Sequence, residues 1–311
     1  MRMAANRREF LQVLAAGTAA GLSACAFTPR ALGRSPVAEP LAAKVVADNV
    51  VQITGLGTNA VIVTGPEGAL MVDCGPAERS EELLRFVSKY PGAGRVSVLY
   101  NTHWHWDHTG GNENLGKMGV TILARDQLRA RLEAAATGPK AAPAALPLIT
   151  YRGPVTFHMN GADVQLIPVP AAHTDGDTMV AIGAPGWTSS PDVIMTGDFF
   201  RSVGFPNIDR ANGGTLKGLL DGFTAVIDLA GPATKIVPGH GAIVDEGGVA
   251  AHRDMAIAIR DKVAALVRQG KTQEEVLAAK PTSEYDARVP QPGQTADRFV
   301  GQLYAEIKGT R

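Results

Sequence analysis

Cysteine is nearly absent from this 311-residue chain, which has only Cys25 and Cys74. Two thiols cannot staple a disulfide framework, so stability has to come from a buried apolar core. An excess of charge of either sign is also missing. Thirty Lys and Arg balance thirty Asp and Glu, which leaves no global field to draw nucleic acid or an acidic membrane surface. Aromatics make up 5% of residues, and no short-period repeat is present, which excludes solenoids and propellers. Histidine is scarce too, at seven, and that scarcity makes its positions informative. What the chain does have is 45% hydrophobic and 19% charged residues, the balance of a globular protein long enough to bury a sizeable core.

The long uncharged run at 11–26 follows Arg7 and Arg8. A basic stretch and then a short, glycine-broken apolar one reads as an export signal over 1–26 rather than a spanning helix. The order Arg7-Arg8-Glu9-Phe10-Leu11 resembles a twin-arginine signal, which carries folded, metal-loaded proteins out of the cytoplasm. Ala24-Cys25-Ala26 satisfies the pattern for ordinary cleavage. Leu22-Ser23-Ala24-Cys25 equally resembles a lipobox, in which Cys25 would be lipidated and anchor the mature chain to a membrane. Either outcome places the protein in the periplasm or cell envelope of a bacterium. A linker with Pro29, Pro36 and Pro40 is expected over 27–43.

From there strands and helices alternate. Strands are expected at 45–54, 59–64, 69–73, 96–100, 119–124, 155–159, 163–169, 178–183, 193–196 and 235–237, with a hairpin turn at Asn160-Gly161. Apolar spacing predicts helices at 78–90, 125–136, 214–229, 250–269 and 272–279. This alternation, beginning with antiparallel strands, argues for a layered α/β domain with mixed sheets over 44–270 and a small helical extension over 271–311.

The chemistry concentrates in His103-Trp104-His105-Trp106-Asp107-His108, just past the expected strand at 96–100. Imidazole and carboxylate are the ligands that zinc prefers where a site must stay open for reaction. His103 and His105 can converge on one ion while Asp107 and His108 face a second. Further donors stand at other strand ends: His173, then Asp198 after Gly197, then His240 in Pro238-Gly239-His240-Gly241. Each alone could be a turn or capping residue; the ordered set is specific.

That order, His-x-His-x-Asp-His, a later His, Gly-Asp and Pro-Gly-His-Gly, resembles the metallo-β-lactamase superfamily over residues 45–245. The resemblance implies a four-layer αβ/βα sandwich of two mixed β-sheets flanked by helices, with metals at one edge. It assigns His103, His105 and His173 to a first metal site and Asp107, His108 and His240 to a second, with Asp198 bridging both. It implies two Zn2+ per chain, with Fe or Mn as substitutes, and a hydroxide bridging the metals that attacks a lactone, thioester, ester or lactam carbonyl. Asp107 would orient the nucleophile and pass its proton to the leaving atom.

The alternatives on the same fold are a β-lactamase proper and a mononuclear-iron persulfide dioxygenase. A flavodiiron protein would need a glutamate where His105 stands. The partner is expected to be a small-molecule substrate, and no oligomeric state is specified. Trp104 and Trp106 are expected either to pack into the core or to wall the substrate. Phe199, Phe200 and Phe205 are candidates to line the mouth, and Arg201 to meet a substrate carboxylate. His158 and His252 match no motif, and Cys74 reads as a small buried hydrophobe.

Overall fold

The computed structural model describes residues 39–134, 140–290 and 295–309. The expected export signal, Cys25 and the linker as far as residue 38 lie outside the described residues. Within them, no helix is long and apolar enough to cross a membrane.

The first half of the chain builds one sheet in sequence order. Strands β1 (Ala42–Ala47), β2 (Val50–Thr54), β3 (Ala60–Val63) and β4 (Ala69–Val72) pair antiparallel. Helix α1 (Ser80–Lys89) then crosses over to β5 (Val96–Tyr100), which lies parallel to β4. The short helices α2 (Trp106–Thr109) and α3 (Asn112–Lys117), β6 (Thr121–Arg125), α4 (Asp126–Ala134) and β7 (Ile149–Tyr151) complete this half, with β6 and β7 continuing parallel. The single strand expected at 45–54 is in fact the β1–β2 hairpin, turning at Asp48 and Asn49, and β1 takes two residues expected to be linker.

The second half builds a five-stranded sheet from β8 (Val155–Met159), β9 (Ala162–Pro168), β10 (Thr178–Gly183) and β11 (Val193–Gly197), with β12 (Lys235–Pro238) parallel to β11 at the edge. Its hairpin turns at Asn160 and Gly161, both at positive φ, 56° and 73°, as a primed turn demands. Helix α5 (Leu216–Leu229) connects β11 to β12. After β12 come α6 (Glu246–Arg268), α7 (Gln273–Ala278) and α8 (Thr295–Lys308). Thr215, Asp245 and Thr272 cap α5, α6 and α7 by accepting from backbone N–H groups of the first turn.

Side-chain alternation along the strands decides the layers. Val61, Val63, Leu70 and Val72 face inward and meet Val164, Leu166, Val180, Ile182 and Met195 of the other sheet. Their strand neighbours Ile62 and Met71 face outward under α1 and α3, against Leu83, Val87 and Leu115. On the far side Met179, Ala181 and Ile194 face α5, α6 and α8, against Phe223, Ile259 and Phe299. Both faces of both sheets are therefore covered, giving the expected four layers, αβ/βα. Each large apolar side chain so buried contributes about 1.5–3 kcal/mol. Beyond residue 270, Val276, Phe299, Val300 and Leu303 belong to this outer core.

The two sheets meet at the carboxyl ends of β4, β5, β11 and β12. Thr178 N donates to Thr102 O at 3.0 Å and Asn59 N to Gly239 O at 2.8 Å, joining loops of opposite sheets there. That seam carries the chemistry.

Candidate metal centre

His103, His105 and His173 bring three ring nitrogens within 4.8 Å of one another, and Asp107, His108, Asp198 and His240 form a second group on the same criterion. The Asp198 carboxylate stands between them. Its Oδ1 is 3.1 Å from His108 Nε2, and its Oδ2 is 3.2 Å from His240 Nε2 and 4.0 Å from His173 Nε2. Asp107 Oδ2 lies 3.2 Å from His240 Nε2 and 3.6 Å from His108 Nε2.

Each imidazole has one nitrogen occupied by an acceptor, which fixes where the other points. His108 Nδ1 donates to Asp73 Oδ2 at 2.7 Å, and His240 Nδ1 donates to the Gly57 carbonyl at 2.7 Å. His173 Nδ1 donates to the Asn207 carbonyl at 2.9 Å, and His105 Nε2 donates to Asp209 Oδ2 at 2.9 Å. The Thr102 hydroxyl gives its proton to Asp73 at 2.7 Å and so accepts from His103 Nδ1 at 3.1 Å. In the first cluster the remaining nitrogens are bare lone pairs directed inward, whereas His108 Nε2 and His240 Nε2 face the Asp107 and Asp198 carboxylates. His105 Nδ1 faces His103 Nε2 at 3.2 Å and His173 Nε2 at 2.9 Å. Lone pairs that close repel unless a cation sits at their focus.

Electrostatics agree. Burial lowers His173 to about 4. Burial and the neighbouring His108 and His105 also hold His103 well below its ordinary value, so both stay neutral. Burial alone would raise Asp198, but His240 and His108 outweigh it and keep the carboxylate ionised. Asp198 Oδ1 is nonetheless a buried oxygen without a hydrogen-bond partner. Imidazoles, ionised carboxylates and no thiolate are the donor set of a borderline or hard divalent cation, so the residues present fit a metal at both clusters.

The orienting groups were not found from sequence. Asp73, at φ 58°, accepts from Thr102 N, the Thr102 hydroxyl and His108, and so serves both clusters. A strand-end acid at β4, next to β5, is the signal that could have revealed it. Asn207 and Asp209 carry no local signal.

Other expected site residues fall differently. Phe199, Phe200 and Phe205 are at most 1% exposed. They pack in the outer core with α5, α6 and α8, so the apolar burial that makes them good core residues removes them from the mouth. Trp104 is half-buried, and Trp106, opening α2 between His105 and Asp107, is 67% exposed. Arg201 Nε donates to Val203 O at 2.9 Å. His158 is exposed and paired with Asp163, whereas His252 lies edge-on to Phe200 and Phe223. Cys74 is fully buried, its thiol donating to His108 O and Asn112 Oδ1.

A four-layer sandwich that gathers a three-histidine cluster and a histidine-and-carboxylate cluster at one sheet edge, from both halves of the chain, defines a metal-binding α/β protein. The model of the metallo-beta-lactamase superfamily matches residues 53–240, and the chain belongs to that superfamily. It is 29% identical over 187 residues to a hydroxyacylglutathione hydrolase of Nitrosococcus oceani, covering 58% of this chain; the match spans 60% of that curated relative's length. In fold it is similar to a metallo-beta-lactamase from Pontibacter korlensis, with a TM-score of 0.56 and 22% identity over 69% of this chain and 99% of the other. It is also similar to the sec-alkylsulfatase Pisa1 from Pseudomonas sp., with a TM-score of 0.62 and 16% identity over 86% of this chain and 50% of the other.

Proposed function

We propose that this protein is an exported hydrolase that holds two zinc ions and opens a lactone, thioester, ester or lactam carbonyl. The observation that carries the reading is the convergence of five imidazole nitrogens, three of them bare lone pairs, with two carboxylates. His103, His105 and His173 hold one ion, Asp107, His108 and His240 the other, and Asp198 is shared. Membership of the superfamily and the likeness to a protein named for hydrolysing hydroxyacylglutathione support hydrolysis of an acyl group. Divalent cations bound there supply Lewis acidity, acidifying water and polarising an acyl oxygen.

The chain's own groups do the rest. Burial alone would raise Asp107, but its hydrogen bond from His240 and the charge of His108 outweigh that and keep it ionised at the cleft rim. It is placed to accept a proton from attacking water and return it to the leaving group. Arg201 and Arg298 on α8 form no close ion pair with a carboxylate among the described residues, although the Asp198 charge acts on Arg298. Burial and the Arg201 charge hold Arg298 below its ordinary pKa. These two guanidiniums would favour a substrate carrying an anionic group. The Arg7-Arg8 signal supports export as a folded protein, with Cys25 either removed or lipidated.

Metal analysis of the purified chain, followed by a chromogenic panel with and without chelator, tests the reading. About two zinc per chain and chelator-sensitive turnover of a lactone, thioester, ester or β-lactam are expected. One iron per chain with oxygen uptake and no hydrolysis would replace it with the dioxygenase.

A further inference from the structure

The three residues Asn207, Ile208 and Asp209 form a short run between β11 and α5, and each end of it touches a different imidazole of the first cluster. The Asn207 carbonyl accepts from His173 Nδ1 at 2.9 Å, and the Asp209 carboxylate accepts from His105 Nε2 at 2.9 Å. The Asp209 backbone N–H also donates to His173 O at 2.9 Å. Asn212 Nδ2 donates to the same Asp209 oxygen at 2.7 Å, fixing the carboxylate's plane. Two of the three imidazoles therefore point where they do because this run is held in place.

What holds it is α8. Gln302 Nε2 donates to Asn207 Oδ1 at 2.9 Å, and Gln302 Oε1 accepts from Ile208 N at 3.0 Å. One side-chain amide thus grips the run by its middle, using both its donor and its acceptor, across 94 and 95 residues of sequence. Beside this grip, Ile208 is buried in the outer core that α8 completes. The same helix is anchored separately at its other end, where the Glu306 carboxylate accepts from Leu216 N at the start of α5. The second cluster takes its orientation elsewhere, His108 from Asp73 and His240 from the Gly57 carbonyl. No residue of α8 enters those contacts.

We infer that Gln302 is a positioning residue for the first metal site: through Asn207 and Asp209 it aims His173 and His105, so that the C-terminal helix sets the affinity of one site and leaves the other alone. Gln302 lies outside residues 53–240, the part of the chain that the superfamily model matches. The inference rests on the two-metal reading above. Loss of a contact that orients a ligating histidine costs about 10–100-fold in metal affinity, and Gln302 acts through two such contacts at once.

The test is a titration of the chelator-stripped full chain with Co2+, following absorbance and stoichiometry, with Tm measured alongside. His173→Ala identifies which binding event belongs to the first site. Gln302→Leu is expected to weaken that event about tenfold or more and to leave the other unchanged. Gln302→Glu is expected to restore it, because the carboxylate still accepts from Ile208 and Asn207 can turn its amide to donate. Glu306→Gln loosens the same helix at its other anchor; it is expected to lower Tm without splitting the two events. Equal weakening of both sites in Gln302→Leu, or no weakening of either, would overturn the inference, as would a selective loss in Glu306→Gln. Fewer than two ions bound by the wild-type chain would overturn the two-metal reading and this inference with it; two ions bound equally well by Gln302→Leu would overturn the inference alone.

Discussion

At the scale of single residues, the seven histidines divide by what each ring is allowed to do. Five have one nitrogen tied to an orienting acceptor and the other turned into the site, the condition of a ligand. His158 is exposed, its Nδ1 hydrogen-bonded to Asp163 Oδ1 at 2.6 Å. His252 belongs to neither class. Its Nε2 is buried without a hydrogen-bond partner, and the rings of Phe200 and Phe223 stand edge-on at 5.2 and 5.5 Å. Burial, aided by the charge of Arg201, lowers its pKa to about 4. The unfolded chain titrates the same group near 6.5, so between these values the unfolded state binds a proton that the fold refuses. Stability contributed by keeping it neutral is complete above about pH 6.5 and is lost as pH falls toward 4, about 3 kcal/mol in all. Denaturant unfolding of His252→Leu at stepped pH should therefore give a flatter curve than wild type across that window. Parallel curves would show that His252 does not titrate there.

At the scale of elements, the strand ends that deliver ligands approach too closely for ordinary residues. A Cβ on Gly239 would meet Asp198 Oδ1 at 2.0 Å. Gly239 N also donates to Gly197 O at 2.8 Å, binding the ends of β11 and β12 together. Gly239→Ala should force the shared carboxylate away, costing about 1–3 kcal/mol of stability and at least one metal. Gly270, at φ 79° with nothing within 4 Å, supplies the contrast. Gly270→Ala should cost about 1 kcal/mol in backbone strain and leave metal content intact. Equal metal retention in both variants would remove the steric argument.

The same scale shows what the sequence could convey. Strands at 96–100, 155–159 and 178–183 were legible to the residue, because short apolar runs there are bounded by turn signals. The β1–β2 hairpin was not, since its two-residue turn interrupts a run that otherwise reads as one strand. Helix α8 went without bounds inside the expected helical extension, because Phe299, Val300 and Leu303 acquire meaning only once an outer core exists for them. Ligands stood out through scarcity and order. Asp73 and Asp209, 35 and 104 residues from the histidines they orient, are ordinary acids until folding brings them there.

For the whole molecule, each half of the chain brings a carboxylate to one seam, and something positive must balance Asp107 and Asp198 there. When chelator strips the protein, protons take that part. Burial alone would lower His240, but Asp198 and Asp107 outweigh it and raise it to about 9, and Asp73 and Asp198 likewise raise His108 despite its burial. At neutral pH both rings then carry a proton that a cation must expel before it can use the nitrogen. Metal uptake at pH 7 should therefore release about two protons per chain, and apparent affinity should climb with pH until His240 is deprotonated near 9. Because the cation binds the folded chain and not the unfolded one, Tm should also rise with free metal, by a margin that grows between pH 6 and 8. Calorimetric titrations in buffers of differing ionisation enthalpy count the protons directly. Uptake with no proton release, and an affinity flat across that range, would mean that the carboxylates are balanced by some other group and that His240 and His108 stand neutral before the metal arrives.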